Sequence, residues 1–156
     1  VHPTNENTVF VGGTNLYRST NGFSSQNSTT WIGGYSPSNN VSQYTNQHPD
    51  VHTLIFYPSS PNQALCGTDG GVHRANDITE NDGGTTPVDW TDLNNGYQTT
   101  QVHAIAFDYQ ANVDIILAGF QDNGTWGSTG STETDNWTEE FSGDGAYCAI
   151  VGNGLV

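Results

Sequence analysis

The chain has no lysine, no methionine, two arginines, two cysteines and no long apolar run. Each shortage removes a class of protein. Sixteen acidic residues set against Arg18 and Arg74 leave a formal charge of −14. The acid content is ordinary, so the imbalance is a scarcity of cations rather than a halophile's surplus of carboxylates. A surface this poor in cations cannot displace the counterions of a phosphate backbone, which excludes nucleic acid as a partner. It also has no grip on anionic lipid. No stretch approaches the roughly 18 apolar residues of a membrane helix, so membrane insertion is not expected. Cys66 and Cys148 are too few for a disulfide framework and are expected to stay unbonded to each other. No secretory leader precedes Val1-His2-Pro3 and no initiator Met stands there, so the chain is expected to be a processed or excerpted segment. The Asn-x-Ser/Thr sites at Asn27, Asn40, Asn123 and Asn136 are what chance supplies in a sequence this rich in Asn, Ser and Thr.

What is present is 19 glycines, 33% hydrophobic residues and 11% aromatics. The apolar residues gather in short β-branched and aromatic clusters, which disordered chains lack. Their spacing then decides the architecture. Val51-His52-Thr53-Leu54-Ile55-Phe56 returns as Val102-His103-Ala104-Ile105-Ala106-Phe107. Ala64-Leu65-Cys66-Gly67 returns as Ile115-Ile116-Leu117-Ala118-Gly119. The turns Thr68-Asp69-Gly70-Gly71 and Gln121-Asp122-Asn123-Gly124 follow, and each copy closes on a tryptophan, Trp90 or Trp137. A partial earlier copy runs from Val9 to Trp31.

Each repeat holds four short strand-like runs separated by Gly, Asn, Asp and Pro, with no sustained helical period. A four-stranded unit of about 50 residues is the size of a propeller blade. The expected fold is therefore all-β, with about three four-stranded antiparallel β-propeller blades in an incomplete ring. Residues 1–47 form a blade lacking its inner strand, 48–98 and 99–144 full blades, and 145–156 the first strand of a further blade. Strands are expected at 52–57, 63–67, 103–108, 115–119 and 146–151, the last covered by residues of a parent protein outside this segment or by the open blade of a neighbouring copy. A sandwich of tandem hairpins is the rival.

The succession of apolar strand, Pro, Asn, apolar strand, Gly, Asp-Gly-Gly, strand and Trp resembles the Asp-box (BNR) repeat superfamily. That group includes sialidase-like, sortilin-like and xyloglucanase-like propellers. The motifs His48-Pro49-Asp50-Val51-His52, Asp69-Gly70-Gly71 and Gln121-Asp122-Asn123-Gly124-Thr125 look like those of secreted bacterial members. The Asp-box itself is degenerate at Ser19-Thr20-Asn21-Gly22, at Ala75-Asn76-Asp77 and at Ser131 to Trp137. The resemblance implies an extracellular or cell-surface protein. Two arginines cannot form a sialidase-type triad, so that reaction is excluded from this segment.

In a propeller the turns carrying Asp69 and Gln121-Asp122 emerge on one face, with His103, Asn15 and Asp144 in matching places. Asp69, Gln121 and Asp122 are thus candidate ligand-binding residues, and Trp126 and Tyr97 candidate platforms for a sugar ring. The same acids also suit tight turns, whose positive φ and self-capping Asp and Asn provide for. On an extended strand His48, Asp50 and His52 would share a face and could ligate a metal, with Asp144 a further candidate. The recurrence of His52 as His103 argues for a structural hydrogen bond between blades instead. No cofactor motif is present; Ca²⁺ is the candidate ion, although no EF-hand spacing occurs. Trp31, Trp90 and Trp137 are expected as core plugs at equivalent places.

No catalytic residue is assigned, because no nucleophile stands with a base and its orienting partner. The expected function is a non-catalytic extracellular interaction or structural module with a glycan or protein ligand. A glycoside hydrolase of xyloglucanase type, with a carboxylate pair drawn from Asp69, Asp122 and Asp144, is one alternative. The other is a surface or filament protein assembling with copies of itself by sharing strands.

Overall fold

The computed structural model describes residues 1–38, 40–96, 100–108, 115–130, 132, 134–151 and 154–155. Apart from a single 3-10 turn at Gln26–Ser28, the described residues are all-β. They divide into two compact units, Val1–Tyr97 and Gln98–Val156.

The first unit holds two antiparallel sheets. One is formed in chain order by β1 (Val9–Gly12), β2 (Leu16–Ser19) and β3 (Thr29–Gly33). The other is formed by β4 (Val51–Tyr57), β5 (Ser60–Thr68), β6 (Gly71–Ala75) and β7 (Trp90–Asp92). In β5 and β6 buried and partly exposed residues alternate, as a strand period of two demands. Leu54, Phe56, Ala64, Cys66, His73, Ala75 and Trp90 therefore share the face turned to the first sheet. Phe10 and Phe56 meet there at 5.5 Å between ring centroids, and Leu16, Ile32, Tyr44, Cys66 and Trp90 form the core.

The stretch from Gly34 to Asp50 straps the two sheets together with side chains. The Tyr44 hydroxyl donates to the Val88 carbonyl and accepts from the Val88 N–H, at 3.0 and 2.8 Å. Burial pushes the Tyr44 hydroxyl up to about 12, so it stays a neutral donor. Gln47 accepts from the Gly34 N–H at 2.5 Å and donates to Cys66 Sγ at 3.6 Å, while Asn46 Nδ2 donates to the Trp90 carbonyl.

The second unit repeats the four-stranded sheet with β8 (Val102–Asp108), β9 (Ile115–Phe120), β10 (Thr125–Ser128) and β11 (Thr138–Phe141), plus a ribbon of β12 (Ile150–Val151) and β13 (Gly154–Leu155). The duplicated runs fall on strands as expected. The strand expected at 146–151 does not form over its length: only Ile150 and Val151 lie in a strand, and Tyr147 is 96% exposed. β4 forms because β5 follows and pairs along its length, whereas here the described residues that follow supply only β13. The start of the segment is held on β9 by Gly145 donating to the Phe120 carbonyl and Cys148 Sγ to the Leu117 carbonyl. Gly145 nonetheless takes the place of Val51, whose N–H donates to Gly13 at the end of the first sheet's opening strand.

The tryptophans also depart from expectation. Trp90 is 4% exposed, Trp31 is half-buried and Trp137 is 42% exposed. Registers explain part of this. Arg18 faces Thr30 and Arg74 faces Thr91, which puts Thr29, not Trp31, in the place of Trp90. Trp137 does match Trp90, since Gly127 faces Thr138 as Arg74 faces Thr91. The strand that follows it, β11, is exposed throughout, so Trp137 lacks the cover that Trp90 has.

Candidate functional site

Three aromatic residues come together in the second unit. Trp126 pairs with Ala118 and with Glu139, and strand alternation brings Phe120 and Trp137 to the same face. Phe120 and Trp137 meet edge to face, with centroids 6.5 Å apart. With Thr100, Asn123 and Trp126 they line a cleft of about 340 Å³. That volume is at the small end of the range for ligand pockets.

The rim is held in place by hydrogen bonds. Trp126 Nε1 donates to the Asn123 carbonyl at 2.6 Å, which fixes the indole plane. Asn123 Nδ2 donates to Thr100 Oγ1 at 3.3 Å and to the Gln121 carbonyl at 3.0 Å. Asp122 at φ 55° and Gly124 at φ 73° make the turn that carries Asn123, a left-handed conformation open to Gly, Asn and Asp.

Beside this turn runs a chain of polar groups. His103 Nε2 donates to Gln121 Oε1 at 2.8 Å, and Gln121 Nε2 donates to Asp144 Oδ1 at 3.0 Å. Asp144 Oδ1 also accepts the Asp122 N–H at 3.0 Å. Gln121, Asp122, His103 and Asp144 thus come together, and their hydrogen bonds hold the turn. Trp126 lies at the cleft. Tyr97 falls outside the described residues.

The matching place in the first unit is built the same way with different groups. His52 Nε2 donates to Asp69 Oδ1, and the Asp69 N–H donates to the Asp50 carbonyl as Gln121 donates to Gln101. Asn94 staples this turn by donating to the Gly70 carbonyl at 3.0 Å and accepting from the Val72 N–H at 2.9 Å. The side chains of His48, Asp50 and His52 do not converge on one point as the strand reading expected. Asp50 has φ 60° and precedes β4, which breaks the two-residue alternation the expectation relied on. His48 turns instead to the Pro49 carbonyl. Among the described residues no group of three His, Cys, Asp or Glu side chains is placed to hold a metal.

Sequence reasoning found Trp126 but missed Phe120, Asn123, Thr100 and Trp137 as its neighbours. The repeat position of Trp137 predicts a core residue. The signal against that was local: Thr138-Glu139-Glu140 follows it, and adjacent acids leave neither face of that strand apolar. Compared with family models, curated proteins and solved structures, the chain finds no match.

Proposed function

We propose that this chain is a non-catalytic extracellular interaction or structural module built from Asp-box-like propeller blades. The observation that carries this reading is the cleft of Phe120, Trp126 and Trp137 with its Asn123 and Thr100 rim. Flat aromatic faces beside an amide and a hydroxyl suit an uncharged ligand with alternating apolar and polar faces, as a pyranose has. The carboxylate of Asp144 is engaged by Gln121 and Asp122, which favours a positioning role over acid–base chemistry. Scarcity of cations directs the choice to neutral glycans. Titration with soluble xyloglucan, mixed-linkage glucan and starch, followed by tryptophan fluorescence, tests this. Saturable binding weakened about tenfold by Trp126→Ala is expected, the scale of one aromatic stacking contact. Binding unaffected by that substitution, or no binding at all, would sink the glycan reading.

A second reading, assembly with copies of itself, is favoured by the repeat. Phe120, Trp126 and Trp137 occupy the places of Thr68, His73 and Trp90, which serve packing between sheets in the first unit. Sedimentation would then reveal self-association that Trp137→Ala weakens.

A further inference from the structure

The cleft of Phe120, Trp126 and Trp137 has an acid beside it. In register Trp126 faces Glu139, and residues directly opposite across two strands share a face. Glu139 therefore lies on the side of the sheet that carries the three rings. A methyl group placed on Gly124 would stand 3.1 Å from Glu139 Oε1, so the carboxylate reaches over the turn that bears Asn123 on the cleft's rim. Glu139 is exposed, and among the described residues no donor takes its carboxylate. The chain has no lysine, and both arginines, Arg18 and Arg74, belong to the first unit. The second unit thus has no Lys or Arg of its own to neutralise this acid.

The repeat shows what has changed at this place. In the first unit the matching pair is His73 facing Asp92. A ring that can carry a positive charge is there replaced by one that cannot, and the carboxylate stays. The indole offers its π face instead, which attracts a cation from outside. Phe120 and Trp137 stand at 66° to one another, two walls of a corner rather than a stack. Trp126, its indole fixed by the Asn123 carbonyl, lines the cleft as a third.

We infer that this cleft takes the trimethylammonium group of a soluble methylated amine, held against the three aromatic rings and neutralised by Glu139. Hydration selects this group over a primary ammonium. A primary ammonium is strongly hydrated and needs acceptors for three N–H groups. The cleft offers mainly rings, and the Asn123 amide nitrogen is already spent on Thr100 and the Gln121 carbonyl. A quaternary ammonium donates no hydrogen bond and loses none there. The inference is independent of the glycan reading, which uses the ring faces and the rim but no charge.

Tryptophan fluorescence of the whole chain titrated with choline tests this, against 3,3-dimethylbutan-1-ol, which has the same shape with carbon in place of nitrogen. Choline should bind saturably and at least tenfold more tightly than the alcohol. Equal affinities would show that the cleft reads shape alone and would overturn the inference, as would the absence of saturable choline binding. Glu139→Gln, at an exposed position without hydrogen bonds to lose, should weaken choline about threefold and leave the alcohol as it was. Choline affinity unchanged in that variant would remove Glu139 from the site and overturn the inference as stated. Phosphocholine should bind more weakly than choline, because no Lys or Arg of this unit meets its phosphate. Tighter binding of phosphocholine would overturn the soluble amine in favour of a lipid headgroup. Glycan titration of the same preparation scores the other reading, whose failure leaves the choline result standing.

Discussion

In the sheet β4–β7, Thr68, His73 and Trp90 share one face; in β8–β11 the same three places hold Phe120, Trp126 and Trp137. The first trio is closed in. Trp90 Nε1 donates to the Ile32 carbonyl at 2.8 Å, and His73 Nε2 faces Thr68 Oγ1 at 3.2 Å and the His48 N–H at 3.5 Å. The second trio is more apolar but less covered, with Ile105 on the same face 54% exposed. Polar groups were tolerated where a strap with matching donors and acceptors seals the face. Where the face is open, aromatic area replaces them. A repeat thus keeps its backbone register while the chemistry and cover of one face change.

The largest test of that contrast is the tryptophan pair. Trp90→Ala should cost about 3–5 kcal/mol, as for other large buried aromatics. Trp137→Ala should cost under about 1 kcal/mol, as at surface positions. Urea unfolding of the two variants gives both values, and equal losses would end the distinction.

Arg18 comes next. Arg18→Ala removes two hydrogen bonds from a charged donor to the Ile78 and Glu80 carbonyls and should cost about 3 kcal/mol in the same experiment. A loss below about 1 kcal/mol would mean that the Ile78 and Glu80 carbonyls find water.

The third test concerns acid. Burial holds the His73 imidazole below its usual value, with His48 adding to the shift and the Asn46 carbonyl and Asp92 opposing it. The unfolded chain takes up a proton near pH 6.5 and the folded one resists it. Stability supported by neutral His73 is therefore complete above about pH 6.5 and is lost as pH falls through the depressed folded value, at up to about 1.4 kcal/mol per pH unit. Trp126 stands in this place in the second unit and brings no such dependence. Urea midpoints of the wild type and of His73→Gln at pH 7.5, 6 and 5 should diverge. Parallel curves would remove His73 as the cause.

The smallest effect is on reactivity rather than stability. Both cysteines are free, and burial pushes the Cys66 thiol up to about 11. Cys148 is only partly buried and donates to the Leu117 carbonyl. At pH 8 an aromatic disulfide reagent should label Cys148 well before Cys66; the reverse order would contradict the burial of Cys66.

The sequence by itself determined the all-β class and the duplicated strands at 52–57, 63–67, 103–108 and 115–119. Alternating apolar residues, duplicated Val-His openings and Gly-rich turns are local features, and local features survive without a tertiary context. The recurrence of His52 as His103 pointed to a bond between blades, whereas both pair within their own hairpins, His52 with Asp69 and His103 with Gln121. Only the tertiary structure decided what covers each face. Trp90 and Trp137 read alike in the repeat, and their difference lies in the Gly34–Asp50 strap, which closes over Trp90 from outside its own sheet. Asp50 shows the same limit: its left-handed φ undid a ligand spacing that assumed an extended strand. Arg18 and Arg74 share a register position, and only tertiary packing gives Arg18 the Ile78 and Glu80 carbonyls. Burial is a property of neighbours distant in sequence, and a single strand's residues do not encode who those neighbours are.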